Sequence, residues 1–472
     1  MPQSEHNTLP ALSSQLQALI QEGWEQEVLS QLPLGYEQQA RTMGAFVRAR
    51  GLSCLGDLLR GLLAYVLCAP SLRQLGAWAV LIGLANLSHV AWQKRLRHAR
   101  MWLLWLVSEL LAVPAPAPLV HQSRVILIDA TRLKEPGGCG DDWRVHLGYD
   151  LLAARLLDVR VSDRHTAEGF TLFDLRPGDL VVADRGYCRR GQLAFVLRAG
   201  AQVVVRLAVF QVPLLDAHGQ PLDVVAWLHE RGHGQQSCVV AFEHEGERFA
   251  GRLIASALPE EAAERARAKQ RRKASKQQRQ LKEETLYLCG WFLLFTSLPT
   301  TEWSDEQVLT LYRARWQIEL VIKRLKQLLK LAQLRGKTGL TNEATILALL
   351  VAWALLQPEV TLARQVLSQT IEQWLTAHQE ARVTAAVSEQ LASTPAPTLS
   401  SWTITALGVQ TLRQLVQGSW TFARLQVCWP FLLRYLAHRR RRPHQESRIR
   451  RHLLDPFGPL VTSSSLFFCS SA

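Results

Sequence analysis

Three acidic residues occupy positions at which their carboxylates would meet. Asp129 follows an apolar run over 124–128, and Asp184 follows a second apolar run over 180–183. Each run is typical of a buried strand, and ligands of open α/β sheets bind beyond the strand ends. Glu319 lies in the middle of a predicted helix. Because Mg²⁺ and Mn²⁺ prefer carboxylate oxygens, the three residues predict a site that holds two such ions for phosphodiester cleavage.

The helix of Glu319 is predicted over 304–331, and its charged residues fall on one side. Tyr312, Arg315, Glu319 and Lys326 stand at offsets 0, 3, 7 and 14, which at about 100° per residue places them within roughly 60° of one another. A tyrosine and two cations beside an acid are suited to hold phosphates on both sides of a cleavage point. The ordinary alternative is a solvated helix face with an i,i+4 ion pair between Arg315 and Glu319.

The predicted strands and helix that carry these residues indicate an α/β core. A β-rich insertion is predicted before the helix of Glu319. Within the insertion, residues 265–282 hold nine Lys and Arg and no acid. This segment is either a solvated helix or an arm that faces DNA. Further strands are predicted over 143–149, 157–161, 202–207, 237–242, 249–255 and 285–298.

The region before the core reads as helices with a basic end. Helices are predicted over 55–67 and 72–80, and Ser88 is an expected N-cap of a third helix. The order resembles a helix-turn-helix unit, whose last helix enters the major groove of DNA. The alternative is an ordinary helical bundle with a solvated basic face. The cations in question are Lys94, Arg95 and Arg97.

Two proline-rich runs, 113–118 and 393–398, divide the chain, because closely spaced prolines favour extended linkers. An arginine run at 439–442 is either solvated or in contact with nucleic acid, and the Ser-rich segment 460–472 matches no motif. The predicted units are a helical N-terminal DNA-binding region (1–112), the first part of the core (119–200), the β-rich insertion with its basic segment (201–298), the catalytic helix with a packing helix (299–358) and a helical C-terminal region with a basic tail (359–472).

The composition favours a soluble protein with a polyanionic partner. The 472 residues include 54 Lys and Arg against 40 Asp and Glu, which gives a net charge of +14 and indicates nucleic acid. Hydrophobic residues make up 48% of the chain, which excludes a disordered protein. The eight cysteines form no C-x-x-C pair; this argues against a zinc site and a disulfide scaffold, and suits a reducing cytosol.

We expect neither an export signal nor a membrane span. The first ten residues are polar, whereas a signal peptide has a basic start and an apolar core. The uncharged stretch 74–92 includes several polar residues and has basic flanks on both sides, so it lacks the one-sided bias that orients a membrane helix.

The charged helix also matches a family signature. Its pattern over 312–326, Tyr-x2-Arg-x3-Glu-x6-Lys, resembles the YREK signature of bacterial insertion-sequence DDE transposases. The segments 128–131 (Ile-Asp-Ala-Thr) and 134–138 (Lys-Glu-Pro-Gly-Gly) look like the first catalytic block of that group. The segment 183–187 (Ala-Asp-Arg-Gly-Tyr) looks like the second block. The resemblance covers roughly residues 125–331.

The resemblance implies an RNase H-like catalytic core interrupted by a mostly β insertion and flanked by helical N- and C-terminal regions. Its acids, in family order, would ligate two Mg²⁺ or Mn²⁺ ions, and its signature Tyr, Arg and Lys would contact transposon-end DNA. By position these residues are Asp129, Asp184 and Glu319 for the metals, and Tyr312, Arg315 and Lys326 for the DNA. Gly186 is expected to permit the turn after the second block's strand, Tyr187 to pack, and Glu168 is kept as a further candidate acid.

The implied activity is cut-and-paste DNA transposition. The protein would bind terminal inverted repeats, cleave the element's ends and join the 3′-hydroxyls to target DNA, as a homodimer when it pairs two ends. It would work in the bacterial cytoplasm on the nucleoid, with no membrane partner. The alternatives are a catalytically inactive copy that only binds DNA, and a metal-dependent nuclease without strand transfer; the helical end regions argue against the latter.

Overall fold

Apolar segments of the central chain form one mixed sheet of eight strands, in the order β3-β2-β1-β4-β5-β8-β7-β6. In it β1, β4 and β5 run parallel, and the other neighbours are antiparallel. The strands are β1 (Val125–Leu133), β2 (Trp143–Asp150), β3 (Arg155–Asp163), β4 (Leu180–Ala183), β5 (Gln202–Arg206), β6 (Gln235–His244), β7 (Glu247–Ala257) and β8 (Trp291–Thr296), with a separate pair β9 (Thr398–Leu399) and β10 (Ala437–His438).

The computed structural model describes residues 24–49, 51–69, 71–81, 84–112, 124–138, 141–232, 234–384, 398–417 and 437–438. Of these, 81, 365–384, 398–399 and 437–438 are described by their backbone alone. The predictions for the linker at 113–118, the arginine run at 439–442 and the segment 460–472 lie outside the described residues, as does most of the second proline run.

Helices cover the sheet and precede it. They are α1 (Trp24–Glu27), α2 (Tyr36–Thr42), α3 (Leu55–Leu67), α4 (Leu72–Leu81), α5 (His89–His98), α6 (Arg100–Ala112), α7 (Arg190–Arg198), α8 (Val224–Arg231), α9 (Glu260–Lys276), α10 (Glu283–Leu288), α11 (Asp305–Arg313), α12 (Trp316–Gln327), α13 (Gly339–Thr384) and α14 (Ser401–Gln417). The predicted α/β class is therefore confirmed, and the basic segment of the insertion is largely the helix α9.

The first strand is longer than the sequence predicted. We expected it to end before Asp129, but β1 continues to Leu133. The reason is its second neighbour: residues 126–133 pair antiparallel with β2, so Asp129 lies opposite Leu147 within the strand. The parallel pairing with β4, by contrast, ends at Ile128.

The last predicted strand, 285–298, is shorter than expected, because its first part is the helix α10. Glu283 and Glu284 stand in the first turn of that helix, where acidic side chains favour helix formation. The strand β8 follows and pairs with both β5 and β7. The strands of the predicted insertion thus extend the same sheet.

The helix of Glu319 is two helices, not one. Ser304 and Gln307 form the predicted capping box at the start of α11. At Ala314 and Arg315 the backbone amides donate to carbonyls three residues back, at 2.9 and 3.0 Å. Such i→i+3 bonds tighten the turn and end the regular helix. The charged stripe predicted for a single straight helix therefore spans a junction between α11 and α12.

The N-terminal helices share one hydrophobic core with a face of the sheet. Ser88 caps α5 as predicted, accepting from the amide of Ala91 at 3.2 Å, and the helix ends at His98. An ion pair of 3.2 Å joins Arg100 of α6 to Glu343 of α13. The N-terminal helices therefore pack directly on the catalytic core.

One helical segment among the described residues, Gly339–Arg364 of α13, is long and apolar enough to cross a membrane by length and composition. Its apolar part is 67% buried inside the protein, as in the core helix of a soluble protein. The stretch 74–92, considered above, is divided between α4 and α5.

Candidate active site

The sheet register brings two of the predicted acids side by side. Ile128 of β1 pairs with Ala183 of the parallel strand β4, so Asp129 and Asp184 are the next residues on the two chains. Side chains alternate between the faces of a sheet, and Leu127 and Val182 both contribute to the core under α12 and α13. Asp129 and Asp184 therefore project from that same face.

Asp129 is mostly buried, with 18% of its side chain exposed. Its Oδ1 accepts a hydrogen bond of 2.8 Å from the amide of Ala130. Burial, together with the charges of Asp184 and Glu319, raises the pKa of Asp129 to about 7, against the opposing effects of the Ala130 amide and Arg315. Asp129 therefore interacts electrostatically with both of the other acids.

Glu319 reaches the same place from α12, and Arg315 connects it to Asp129. The guanidinium of Arg315 donates a 2.5 Å hydrogen bond to Oε1 of Glu319 and lies 3.9 Å from Oδ2 of Asp129. The ordinary i,i+4 pair considered above is thus present, but it also bridges to a strand residue. This bridging contact sets the pair apart from a solvated helix face.

Tyr312 is buried, with 7% exposure, and its ring supports Arg315. The guanidinium of Arg315 lies 5.7 Å from the centre of the Tyr312 ring, and Phe292 of β8 meets that ring edge-on at 5.3 Å. Burial raises the pKa of Tyr312 to about 12. Its side chain therefore packs behind the site, and the predicted contact between Tyr312 and DNA stays a prediction.

Arg206 lies on the other side of Phe292, so that Arg206, Phe292, Tyr312 and Arg315 form a column of stacked side chains. The sequence analysis did not identify Arg206. It stands at the end of β5, 5.4 Å from the centre of the Phe292 ring. Burial, followed by smaller effects that include the like charges of Arg185 and Arg315, lowers the pKa of Arg206. The available signal was a lone cation that ends an apolar strand, Gln-Val-Val-Val-Arg.

Lys326 is half-buried at the far end of α12. It has no hydrogen bond or ion pair in the part of the chain that the structure describes. Burial lowers the pKa of Lys326, while the charges of Asp129 and Asp141 act in the opposite direction. Its ammonium thus interacts electrostatically with Asp129 and is free to bind an anion.

The loop after β4 fixes the orientation of Asp184. Oδ1 of Asp184 accepts a 2.8 Å hydrogen bond from the amide of Gly186. A Cβ on Gly186 would lie 3.1 Å from that oxygen and 3.4 Å from Oε2 of Glu168. A side chain here would therefore crowd the two carboxylates, whereas the backbone conformation does not call for glycine, since Gly186 is not among the positive-φ residues. Tyr187 is fully buried and packs on Phe170, as expected.

Glu168 borders the site but is engaged in ion pairs. Its carboxylate lies 3.5 Å from Nε of Arg144 and 3.9 Å from Nε of Arg132. These ion pairs give Glu168 a structural role, so it remains a secondary candidate.

The donor chemistry of Asp129, Asp184 and Glu319 fits divalent cations. On each of the three, one carboxylate oxygen accepts no hydrogen bond from the described residues. The pKa of Asp129 is raised first by burial and then by the negative charges of Asp184 and Glu319, and a bound cation would offset those charges. Within the same part of the chain, no three His, Cys, Asp or Glu side chains are gathered closely enough to form a complete ligand set. Arg315 lies against two of the three acids.

The N-terminal basic residues have different surroundings. Arg95 donates to the carbonyls of Arg48 and Ala49 at 3.2 and 3.4 Å and lies over the ring of Phe46. It therefore holds the preceding loop. Lys94 is exposed and Arg97 is partly exposed. Their predicted contact with DNA stays a prediction.

Comparison with known proteins supplies the family context. Residues 121–355 match the family described as "Transposase DDE domain". The chain is 37% identical over 328 residues to the InsL protein of insertion sequence element IS186A from Escherichia coli strain K12, covering 68% of this chain and 89% of InsL. It is 37% identical over 332 residues to the transposase for IS421 from Escherichia coli, with the same coverage, and 26% identical over 247 residues to the transposase for IS231C from Bacillus thuringiensis subsp. berliner, covering 46% and 52%.

Proposed function

This chain belongs to the DDE transposase family and is a transposase enzyme, and we propose that it moves an insertion sequence by a cut-and-paste reaction. It binds the terminal inverted repeats, cleaves the ends with a divalent metal and joins the 3′-hydroxyls to target DNA. The observation that carries this proposal is the convergence of Asp129 and Asp184 on the face of the sheet covered by α12, where Arg315 joins Asp129 to Glu319.

Asp129, Asp184 and Glu319 would hold two Mg²⁺ or Mn²⁺ ions, which supply activation of the attacking oxygen and neutralisation of the leaving oxygen when bound. Arg315 positions Glu319 and, with Lys326, offers cationic groups to the phosphates that flank the scissile bond. Tyr312 holds the guanidinium of Arg315 in place by packing between it and Phe292.

The catalytic core is proposed to be RNase H-like and interrupted by an insertion. Support comes from the chain order. After β5 the chain forms α8, β6, β7, α9, α10 and β8, and then returns with α12 to pack over β1. This order supports a core assembled from chain segments on both sides of an insertion.

The proposed partners are inverted-repeat DNA at the transposon ends, target DNA and a second copy of the chain when two ends are paired. The net charge of +14 supports a polyanionic partner. The exposed Lys94, with Arg97, offers further contacts for DNA. We place the protein in the bacterial cytoplasm, on the nucleoid.

The test is Mg²⁺-dependent cleavage of a labelled DNA that carries the element's terminal repeat, with Glu319→Gln beside the unchanged protein. We expect the unchanged protein to cut at the repeat end, and Glu319→Gln to bind the same DNA without cutting, because it keeps the shape but loses the charge. If both proteins bind and neither cuts, the alternative of an inactive DNA-binding copy replaces the proposal.

A further inference from the structure

We propose that a basic cleft beside the Asp184 loop binds the phosphodiester backbone of DNA, at a place separate from the three carboxylates. The inference rests on the proposed function, since it names a second surface by which the transposase holds DNA. The cleft has a volume of about 570 Å³ and lies between the loop after β4, the segment after β5 and the helix α9. We call it the basic cleft.

The side chains that line the basic cleft are suited to phosphate. Three are cations, contributed by Arg185, Arg189 and Lys273, and two are amides, contributed by Gln211 and Gln270. None of its lining residues is acidic. Arginine, lysine and glutamine side chains are common donors to DNA phosphates, and the absence of acids in the lining leaves their positive field uncompensated.

Two of the three cations of the cleft have no partner among the described residues, unlike other cations nearby. Arg185 and Lys273 are exposed and form no ion pair or hydrogen bond with any described residue. Arg189 donates to the carbonyl of Glu168 and meets no carboxylate. In contrast, Arg267 of α9 binds Glu260 and Glu264 at 2.7 and 2.6 Å. The positive charge of α9 is thus neutralised near the start of the helix, at Arg267, and is unpaired at the cleft, at Lys273.

The basic cleft is continuous with the candidate active site. Gly186, which lines the cleft, donates its amide to Asp184. Arg185 interacts electrostatically with the partly buried Arg206, which in turn interacts with Arg315 beside the acids. Positive charge is therefore present both on the Asp184 loop and beside the carboxylates. A polymeric anion such as a DNA strand can contact both places, whereas a single phosphate ion occupies one.

The experiment compares charge-removing variants inside and outside the cleft. Arg185→Gln and Lys273→Gln remove cleft cations, while Arg265→Gln and Lys276→Gln remove exposed cations of α9 that do not line it. Equilibrium binding is measured from 50 to 200 mM salt with two DNA duplexes, one bearing the terminal repeat and one of unrelated sequence. All four sites are exposed, so thermal unfolding should show intact folding in every variant.

We expect each cleft variant to weaken binding and to reduce the slope of log K against log salt by about 1, because one phosphate contact is lost. The two control variants should keep the slope of the unchanged protein. A reduction with repeat DNA alone assigns the cleft to the transposon end, and a reduction with both duplexes assigns it to the backbone of any DNA, including target.

The inference is overturned if the unchanged protein binds DNA and the cleft variants retain its slope, or if the controls lose as much as the cleft variants do. That result leaves the proposed function standing. Failure of the unchanged protein to bind either duplex overturns the proposed function, and the basic cleft assignment with it.

Discussion

Arg315 donates a hydrogen bond of 2.5 Å to the carboxylate of Glu319, one helical turn later. The same guanidinium lies 3.9 Å from Oδ2 of Asp129 on β1, so a single arginine connects the helix of Glu319 to the strand of Asp129. Its own position is fixed from behind by the ring of Tyr312. The arrangement makes Arg315 the element that sets the distance between helix and strand carboxylates.

Arg315→Lys should lower the rate of DNA cleavage about tenfold or more. A lysine ammonium is a compact point charge and does not reproduce the planar fork of arginine, so it would not reach both acids. Single-turnover cleavage gives the rate, and Arg313→Lys, at an exposed position in α11, is the control that should keep full activity. Equal rates for both variants would contradict the bridging role.

Gly186→Ala should reduce cleavage strongly while leaving the fold intact. The added methyl would lie 3.1 Å from Oδ1 of Asp184, so the carboxylate must shift by a few tenths of an ångström. We expect a rate loss of about tenfold, because catalytic groups tolerate little displacement. Gly339→Ala, whose Cβ meets only ordinary contacts at 3.5 Å and beyond, should cleave normally. Full activity of Gly186→Ala would refute the spatial argument.

Asp305→Asn should lower the free energy of unfolding by about 3 kcal/mol, since removing one partner of a buried ion pair leaves the other charge uncompensated. Arg252 of β7 is buried and binds Asp305 at the start of α11 at 2.7 Å. Urea unfolding measures the loss. Glu306→Gln removes an exposed acid from the same turn and should change the stability little; a matching loss in that control would point to helix-end charge instead.

His146 should make stability depend on pH. It is fully buried in β2, 2.8 Å from the Ser162 hydroxyl, and burial, aided by the charge of Arg144, lowers its pKa to about 4. The unfolded chain binds a proton near pH 6.5. The contribution of neutral His146 to the free energy of unfolding is therefore complete above about pH 6.5. As the pH falls from there towards 4, this contribution decreases by about 1.4 kcal/mol per pH unit.

Urea unfolding of the unchanged protein and His146→Gln at pH 7.5, 6 and 5 tests this. The unchanged protein should be the more stable at pH 7.5, and its advantage should shrink at pH 5, because only histidine gains a proton on unfolding. An advantage that stays constant over this range would show that His146 does not titrate as described.

Several elements of the site could be predicted from local sequence, because they are short segments with strong sequence patterns. The strand before Asp184 was predicted with its observed bounds, since four consecutive apolar residues after a turn favour a buried strand. The capping box at Ser304 was equally clear. These features depend on neighbours within a few residues.

Other features depend on partners far along the chain. The extension of β1 beyond Asp129 follows from pairing with β2. The junction at Arg315 divides a segment whose continuous apolar periodicity predicted a single helix. The column of Arg206, Phe292 and Tyr312 joins three separate elements. No local pattern encodes such contacts, because register and packing are decided by tertiary structure.

The most direct test of the account is Mn²⁺ affinity, measured by electron paramagnetic resonance at pH 8, above the pKa of about 7 for Asp129. We predict that Asp129→Asn, Asp184→Asn and Glu319→Gln each weaken Mn²⁺ binding at least tenfold, whereas Glu168→Gln keeps the affinity of the unchanged protein. If the three variants bind Mn²⁺ as tightly as the unchanged protein, or if only Glu168→Gln loses binding, the assignment of these carboxylates is wrong.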